Sequence, residues 1–157
     1  MNPRESVARA LAYFEATDDI ALLHELTAEV APRAKRLVGK YLARGTEDTI
    51  PGPADLRPAR EPATRQEAIA TLRKTEDFAL LQVLARAIGR RIEAIEIAAS
   101  ADFPVGARVR VPEHGRYPRR GTLATGVVES TGTSLQVLLD NGETWQGPPS
   151  LAELAGK

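Results

Sequence analysis

Apolar residues recur at helical spacing through the first two-thirds of the chain, and the period changes near residue 102. Val7, Leu11 and Phe14 fall on one face of a first helix. Its start is written as Asn2-Pro3-Arg4-Glu5: Asn2 can cap, Pro3 suits the first helical position, and Glu5 can return a bond to the cap. Ile20, Leu23, Val30, Leu37 and Tyr41 mark a second helix. Thr64-Arg65-Gln66-Glu67 repeats the start signal for a third, followed by Ile69 and Leu72. Phe78, Leu81, Leu84, Ile88, Ile92 and Ile95 mark a fourth. Pro32 lies inside the second helix and predicts a kink or break there, because proline lacks an N–H and crowds the preceding turn. The fourth helix has Arg90 at the matching place and is expected to run straight.

The helices are two copies of one unit. Residues 10–37 recur 58 positions later as residues 68–95, with identities that include Ala10/Ala68, Thr17/Thr75, Asp19/Asp77, Leu23/Leu81, Leu26/Leu84 and Arg33/Arg91. Thr17-Asp18-Asp19 and Thr75-Glu76-Asp77 open the second helix of each copy. The threonine is expected as N-cap, with the carboxylates favoured by the helix dipole; that position explains Asp19 and Asp77 without a catalytic role. Residues 45–63 contain Pro51, Pro53, Pro58 and Pro62 and predict an exposed linker between the hairpins. Two hairpins with apolar stripes would bury them against each other as a four-helix bundle. The pattern of cap, alanine and leucine also resembles HEAT-type hairpins, although two repeats are few for a solenoid.

Beyond residue 102 the chain reads as strands. Val105, Ala107, Val109 and Val111 alternate with Gly106, Arg108 and Arg110, which predicts a strand with one buried face. A basic loop, PEHGRYPRRG, covers 112–121, and further strands are expected over 122–129 and 134–140. Asn141-Gly142 predicts a tight hairpin into Glu143–Trp145, and Pro148-Pro149-Ser150 ends that strand. Leu151 and Leu154 are expected to fold back as a short helical turn. The stretches FPVGARVRV (103–111), TGVVES (125–130), LQVLLDNGETW (135–145) and GPPSL (147–151) resemble the KOW/Tudor-type small barrel, with Gly126-Val127-Val128 where that pattern places its glycine. The resemblance covers about a third of the chain and implies a small β-barrel that binds RNA, DNA, peptides or other subunits. HGRYPRRG is also similar to a stretch of the barrel of nitrile hydratase beta subunits, but the helical part has no counterpart there. The expected fold is therefore α+β, with a helical-hairpin domain over 1–98 and a KOW/Tudor-like barrel over 99–157.

Charge narrows the functional classes. Lys+Arg and Asp+Glu are both 21 in 157 residues, and residues 100–157 carry six of each, so nucleic-acid affinity must come from a local patch. Cysteine is absent, which removes disulfides, zinc-thiolate sites and thiol catalysis together. Aromatic content is 4%, so Leu, Ile, Val and Ala must fill the core. No signal peptide or membrane-spanning run stands out, and a soluble cytoplasmic protein is expected. The glycines fit neither a P-loop nor a dinucleotide fingerprint, and the two histidines do not converge on a metal site; no cofactor or metal is expected. His24 reads as a helix-boundary residue, Trp145 as a barrel core or rim residue, and Ser130 and Ser134 lack a base nearby in sequence.

One cluster stands above this background. Arg108, Arg110, Arg116, Arg119 and Arg120 gather with His114 and Tyr117, opposed locally by Glu113 alone. Arginines can fork onto phosphates, histidine can bind a phosphate or a base, and an aromatic ring can stack on an unpaired base. The expected function is a non-enzymatic nucleic-acid-binding or regulatory module with RNA or DNA as partner. The alternative is a protein-interaction adaptor that docks through the bundle or the barrel. The Ala- and Arg-rich usage fits a GC-rich bacterium or its phage.

Overall fold

The computed structural model describes residues 1–43 and 52–155. Among them the fold is α+β: four helices followed by a five-strand antiparallel sheet. The chain divides into two compact units, Met1–Arg91 and Ile92–Lys157.

The first unit holds α1 (Pro3–Ala16), α2 (Ile20–Ala43), α3 (Arg65–Lys74) and most of α4 (Phe78–Ser100). Asn2 caps α1 by accepting from Glu5 N at 2.9 Å, and Thr64 with Glu67 forms a capping box on α3. The caps of α2 and α4 differ from the expectation. Thr17 and Thr75 end the preceding helices, donating their N–H groups to the Tyr13 and Thr71 carbonyls. The capping oxygens belong to Asp19 and Asp77, which accept from Leu22 N at 3.1 Å and Leu80 N at 3.2 Å. The reason is position: Thr17 and Thr75 are the C-caps of α1 and α3, and α2 and α4 begin at Ile20 and Phe78, directly after each aspartate. Helix α2 runs on through Pro32 without a break. Proline removes one hydrogen bond and costs roughly 3 kcal/mol in a helix interior. Burial of Leu22, Leu23, Leu26, Val30 and Leu37 on the same helix offsets that cost.

Most of the predicted stripe is core, while Ile20, Tyr41, Ile69, Ile92 and Ile95 of it are only half-buried. Val7, Leu11, Phe14, Leu23, Leu26, Leu72, Leu81, Leu84 and Ile88 are buried, and Leu22 and Leu80 join them. Helices α1 and α3 pack together, with the equivalent residues Ala10 and Ala68 both fully buried. Arg9 and Glu67, also equivalent, form an ion pair at 2.8 Å. The conserved positions of the repeat serve both copies reciprocally. Arg33 donates to the carbonyls of Leu72, at 2.8 Å, and Thr75 at the end of α3. Arg91, its counterpart, donates to Thr17 O at 2.8 Å, at the end of α1, and pairs with Asp18 at 2.6 Å.

Of the segment read as an exposed linker, residues 45–51 lie outside the described residues. Residues 52–63 have no regular secondary structure and bend at Arg60 and Glu61, but they are fastened rather than free. Ala59 N donates to Ala8 O at 3.0 Å, Ala63 N to Arg9 O at 2.9 Å, and Ala54 N to Ala79 O at 3.2 Å. Prolines cannot donate, so the alanines between them carry these bonds.

The second unit joins the end of α4 to strands β1 (Arg108–Val111), β2 (Ala124–Ser130), β3 (Leu135–Leu139), β4 (Thr144–Gly147) and β5 (Glu153–Leu154), in the order β4-β3-β2-β1-β5. The sheet is open, so the closed barrel expected from the sequence is not formed among the described residues. Strand β1 starts later than its alternation implied. Gly106 takes a φ of +93° and turns the chain, which leaves Val105 65% exposed. Asn141-Gly142 makes the predicted hairpin, with Gly142 at φ +90° and Leu138 opposite Thr144. Gly126 sits where a Cβ would collide with the Leu138 carbonyl on β3. Leu151 lies in a 3-10 turn, Pro149–Leu151, as expected, but Leu154 belongs to β5 and pairs with Val109. Val109, Val111, Val128, Leu135, Val137, Trp145 and Leu151 form the core of this unit.

Two outcomes test this description. Leu23→Ala and Leu81→Ala should each lower stability by about 2–5 kcal/mol in chemical denaturation, because both leave cavities at equivalent buried places. Asp77→Ala should cost about 1 kcal/mol through loss of the α4 cap. Thr75→Ala should cost less, and the reverse order would return the cap to the threonine.

Candidate nucleic-acid interface

The basic loop, residues 112–121, is braced along its length. Glu113 N donates to Arg120 O at 3.3 Å, which draws its ends together. Gly115 lies against the backbone of Gln146 and Gly147 so closely that no Cβ would fit. Tyr117 is half-buried against the sheet's core. Its hydroxyl is 2.7 Å from Ser150 Oγ. Ser150 donates from N and from Oγ to the two oxygens of Glu96, each at 2.7 Å. With its single hydroxyl proton given to the carboxylate, Ser150 Oγ accepts from Tyr117. Glu96, on the final turns of α4, is only 2% exposed. The carboxylate, the serine and the phenol thus form one buried chain of hydrogen bonds. Burial, chiefly, raises the Tyr117 pKa above the ordinary value of 10.0; Glu96 adds to the rise, while Ser150 and Arg119 act against it.

The five arginines separate into two groups. Arg108 forks onto Asp140, with bonds of 3.3 and 2.9 Å. Arg110 pairs with Glu153 at 3.1 Å, across the β1–β5 register that sets them side by side. Arg119 donates to Leu151 O at 2.7 Å and reaches the same Glu153 at 4.0 Å. Arg116 and Arg120 are exposed, and among the described residues neither has an ion-pair partner. They line an open recess of about 500 Å³ with His114, Glu113, Tyr117 and Pro118.

The structure therefore brings His114, Arg116, Tyr117 and Arg120 to one recess, and it engages Arg108, Arg110 and Arg119 with neighbouring groups. Asp140, Glu153, Ser150 and Glu96 were not singled out by sequence. The first three are remote in sequence from the arginines or tyrosine they meet. Glu96 did leave a signal: it stands four residues after Ile92 on an apolar stripe, where the first copy has Val38. Trp145 is buried in the core, and its indole Nε1 has no hydrogen-bond partner among the described residues. His24 is half-buried on α2.

Among the described residues no group of three or more His, Cys, Asp or Glu side chains could hold a metal ion. No helix among them is long and apolar enough to cross a membrane. Compared with protein-family models, curated proteins and solved structures, the chain finds no match in any of the three.

The Tyr117 brace has a pH signature. A raised folded-state pKa means that Tyr117 contributes stability fully below the ordinary phenol value, and that this contribution is lost as pH rises through the higher folded value. Denaturation measured from about pH 9 upward should show stability falling across that window. Tyr117→Phe should remove this component of the slope, and an unchanged slope would show that Tyr117 ionises as freely in the fold as in the unfolded chain.

Proposed function

We propose that the protein is a non-enzymatic nucleic-acid-binding or regulatory module of the KOW/Tudor type, and that its loop 112–121 contacts phosphates. The observation that carries this reading is the recess itself. Two guanidinium groups without an ion-pair partner among the described residues share one concavity with an imidazole, opposed in its lining by Glu113. The loop that presents them is fastened to the core through Tyr117 and to β4 through Gly115. A fixed spacing of donors lowers the ordering cost of binding. The strand order supports the family reading: β1 to β4 form a meander, and β5 returns to β1 after a 3-10 turn, leaving β4 and β5 as the edges a barrel would bring together.

The arrangement also divides the roles. Arg116 and Arg120 are the phosphate contacts. Arg108, Arg110 and Arg119 already hold carboxylates, so a phosphate there replaces one anion with another. Tyr117 is first the brace of the loop and offers only its outward half to a base.

A salt-dependent shift assay with single-stranded and duplex RNA and DNA tests the proposal. The double substitution Arg116→Ala and Arg120→Ala should weaken binding to all sequences alike and flatten the slope of log affinity against log salt by about one to two, since each lost contact returns a counterion. Arg119→Ala should change the slope less. Absence of a shift with the intact protein at low salt, beside a protein partner that survives nuclease in a pull-down, would replace this reading with the adaptor.

A further inference from the structure

The two hairpins are copies, yet they treat one equivalent surface differently. Beside the α1–α2 turn, Arg65 of α3 reaches Asp19 Oδ2 at 3.3 Å, while Asp19 Oδ1 caps α2. Tyr13 is half-buried on α1, one turn before Thr17. Shifted by 58 residues, Arg65 corresponds to Val7, Asp19 to Asp77 and Tyr13 to Thr71. Around the α3–α4 turn the arginine has thus become a valine and the tyrosine a threonine. An open groove of about 510 Å³ lies there, with Val7, Ala70, Thr71 and Leu80 in its lining.

The charges are matched in the same way. Asp77 Oδ1 caps α4, as Asp19 Oδ1 caps α2. Asp77 has no ion-pair partner among the described residues, so its Oδ2 lacks the guanidinium that its counterpart holds. Glu67 and Glu76 on the same rim are already paired, with Arg9 and Arg36, which leaves Asp77 as the lining carboxylate without an ion-pair partner among the described residues. The floor is apolar, and Asp77 is the rim group left to take a cation.

We propose that this groove docks a segment of a partner protein that presents an aromatic side chain and an arginine close together. The aromatic ring lies against Val7, Thr71 and Leu80, in the place where the other copy has Tyr13. The guanidinium takes Asp77 Oδ2, as Arg65 takes Asp19. The chemistry of the occupant is therefore written in this chain's own second copy of the surface. The site belongs to the helical unit and is independent of the basic loop, so its test succeeds or fails separately from that of nucleic-acid binding.

The test is a titration of the full chain, followed by backbone amide NMR, with the capped dipeptides acetyl-Tyr-Arg-amide and acetyl-Tyr-Glu-amide. Saturable shifts centred on Val7, Thr71 and Leu80 are expected with the first, and binding roughly two- to fivefold weaker or less with the second, the range an exposed ion pair supplies. Asp77→Asn retains a good capping residue and should weaken the Tyr-Arg dipeptide by the same factor. Thr71→Tyr places in the groove the residue that the first copy carries, and it should abolish the shifts while the melting temperature holds. If that variant fails to fold, Asp77→Asn alone decides. Equal affinity of the two dipeptides, or no saturable shift at the groove, overturns the proposal. A dimer in sedimentation that Thr71→Tyr dissociates also overturns it, by assigning the groove to a second copy of the chain.

Discussion

A duplicated hairpin that packs on its own copy meets one constraint where α1 lies against α3: a residue there can face its own equivalent, as Arg9 faces Glu67. This decides which positions of the repeat stay identical and which diverge. Ala10 and Ala68 can both be alanine, because two small side chains let α1 and α3 approach closely. Arg9 and Glu67 cannot be the same residue, because like charges in that position would repel; the copies have diverged to opposite signs and pair at 2.8 Å. Such an exposed pair is screened by solvent, so its importance is in avoiding repulsion more than in adding stability. Arg33 and Arg91 remain identical because neither faces the other. Each reaches the C-terminal end of the other copy's first helix, where carbonyls lack intrahelical partners and the dipole favours a cation. The exchange ties the two hairpins together at both ends.

In the second unit the corresponding constraint is a buried carboxylate. An ionised group taken out of water must be hydrogen-bonded or it destabilises the fold strongly. Glu96 is supplied with both donors of Ser150, and Ser150 in turn receives Tyr117. Three segments far apart in sequence are fixed by this single requirement: the end of α4, the 3-10 turn and the basic loop. The loop therefore holds its shape although it contains two prolines and two glycines. Leu151 O, one residue beyond Ser150, accepts from Arg119 and adds a second tether from the same turn.

Much of the architecture was legible because it is local. The helices follow from apolar spacing and start signals, the β3–β4 turn from Asn141-Gly142, and the equivalence of the hairpins from a single shift of 58. What could not be read is non-local or depends on a choice among near neighbours. In Thr17-Asp18-Asp19 each side chain can cap, and only the last turn of α1 decides that Asp19 does. Residues 52–63 have a linker's composition, but the carbonyls of Ala8, Arg9 and Ala79 that hold them are remote in sequence. Counting charges near the basic loop finds Glu113 and misses Asp140 and Glu153, which the sheet brings to Arg108 and Arg110. A cluster that reads as five free cations is thereby reduced to two.

That reduction sets the scale of what the loop can do. Each phosphate neutralised contributes to affinity by releasing counterions, and proteins that depend on this effect engage about six to ten phosphates. On the proposed reading Arg116 and Arg120 would supply two contacts, with His114 beside them. Recruiting Arg108, Arg110 or Arg119 adds little net charge gain, because the displaced Asp140 or Glu153 is left beside the incoming phosphate. On that reading the paired arginines would help to fix orientation, and Arg116 and Arg120 would govern salt dependence. A chain with no net charge has little long-range electrostatic attraction toward nucleic acid in general. If the proposed binding holds, discrimination must come from short-range fit at the recess, whose loop the Glu96–Ser150–Tyr117 chain fastens.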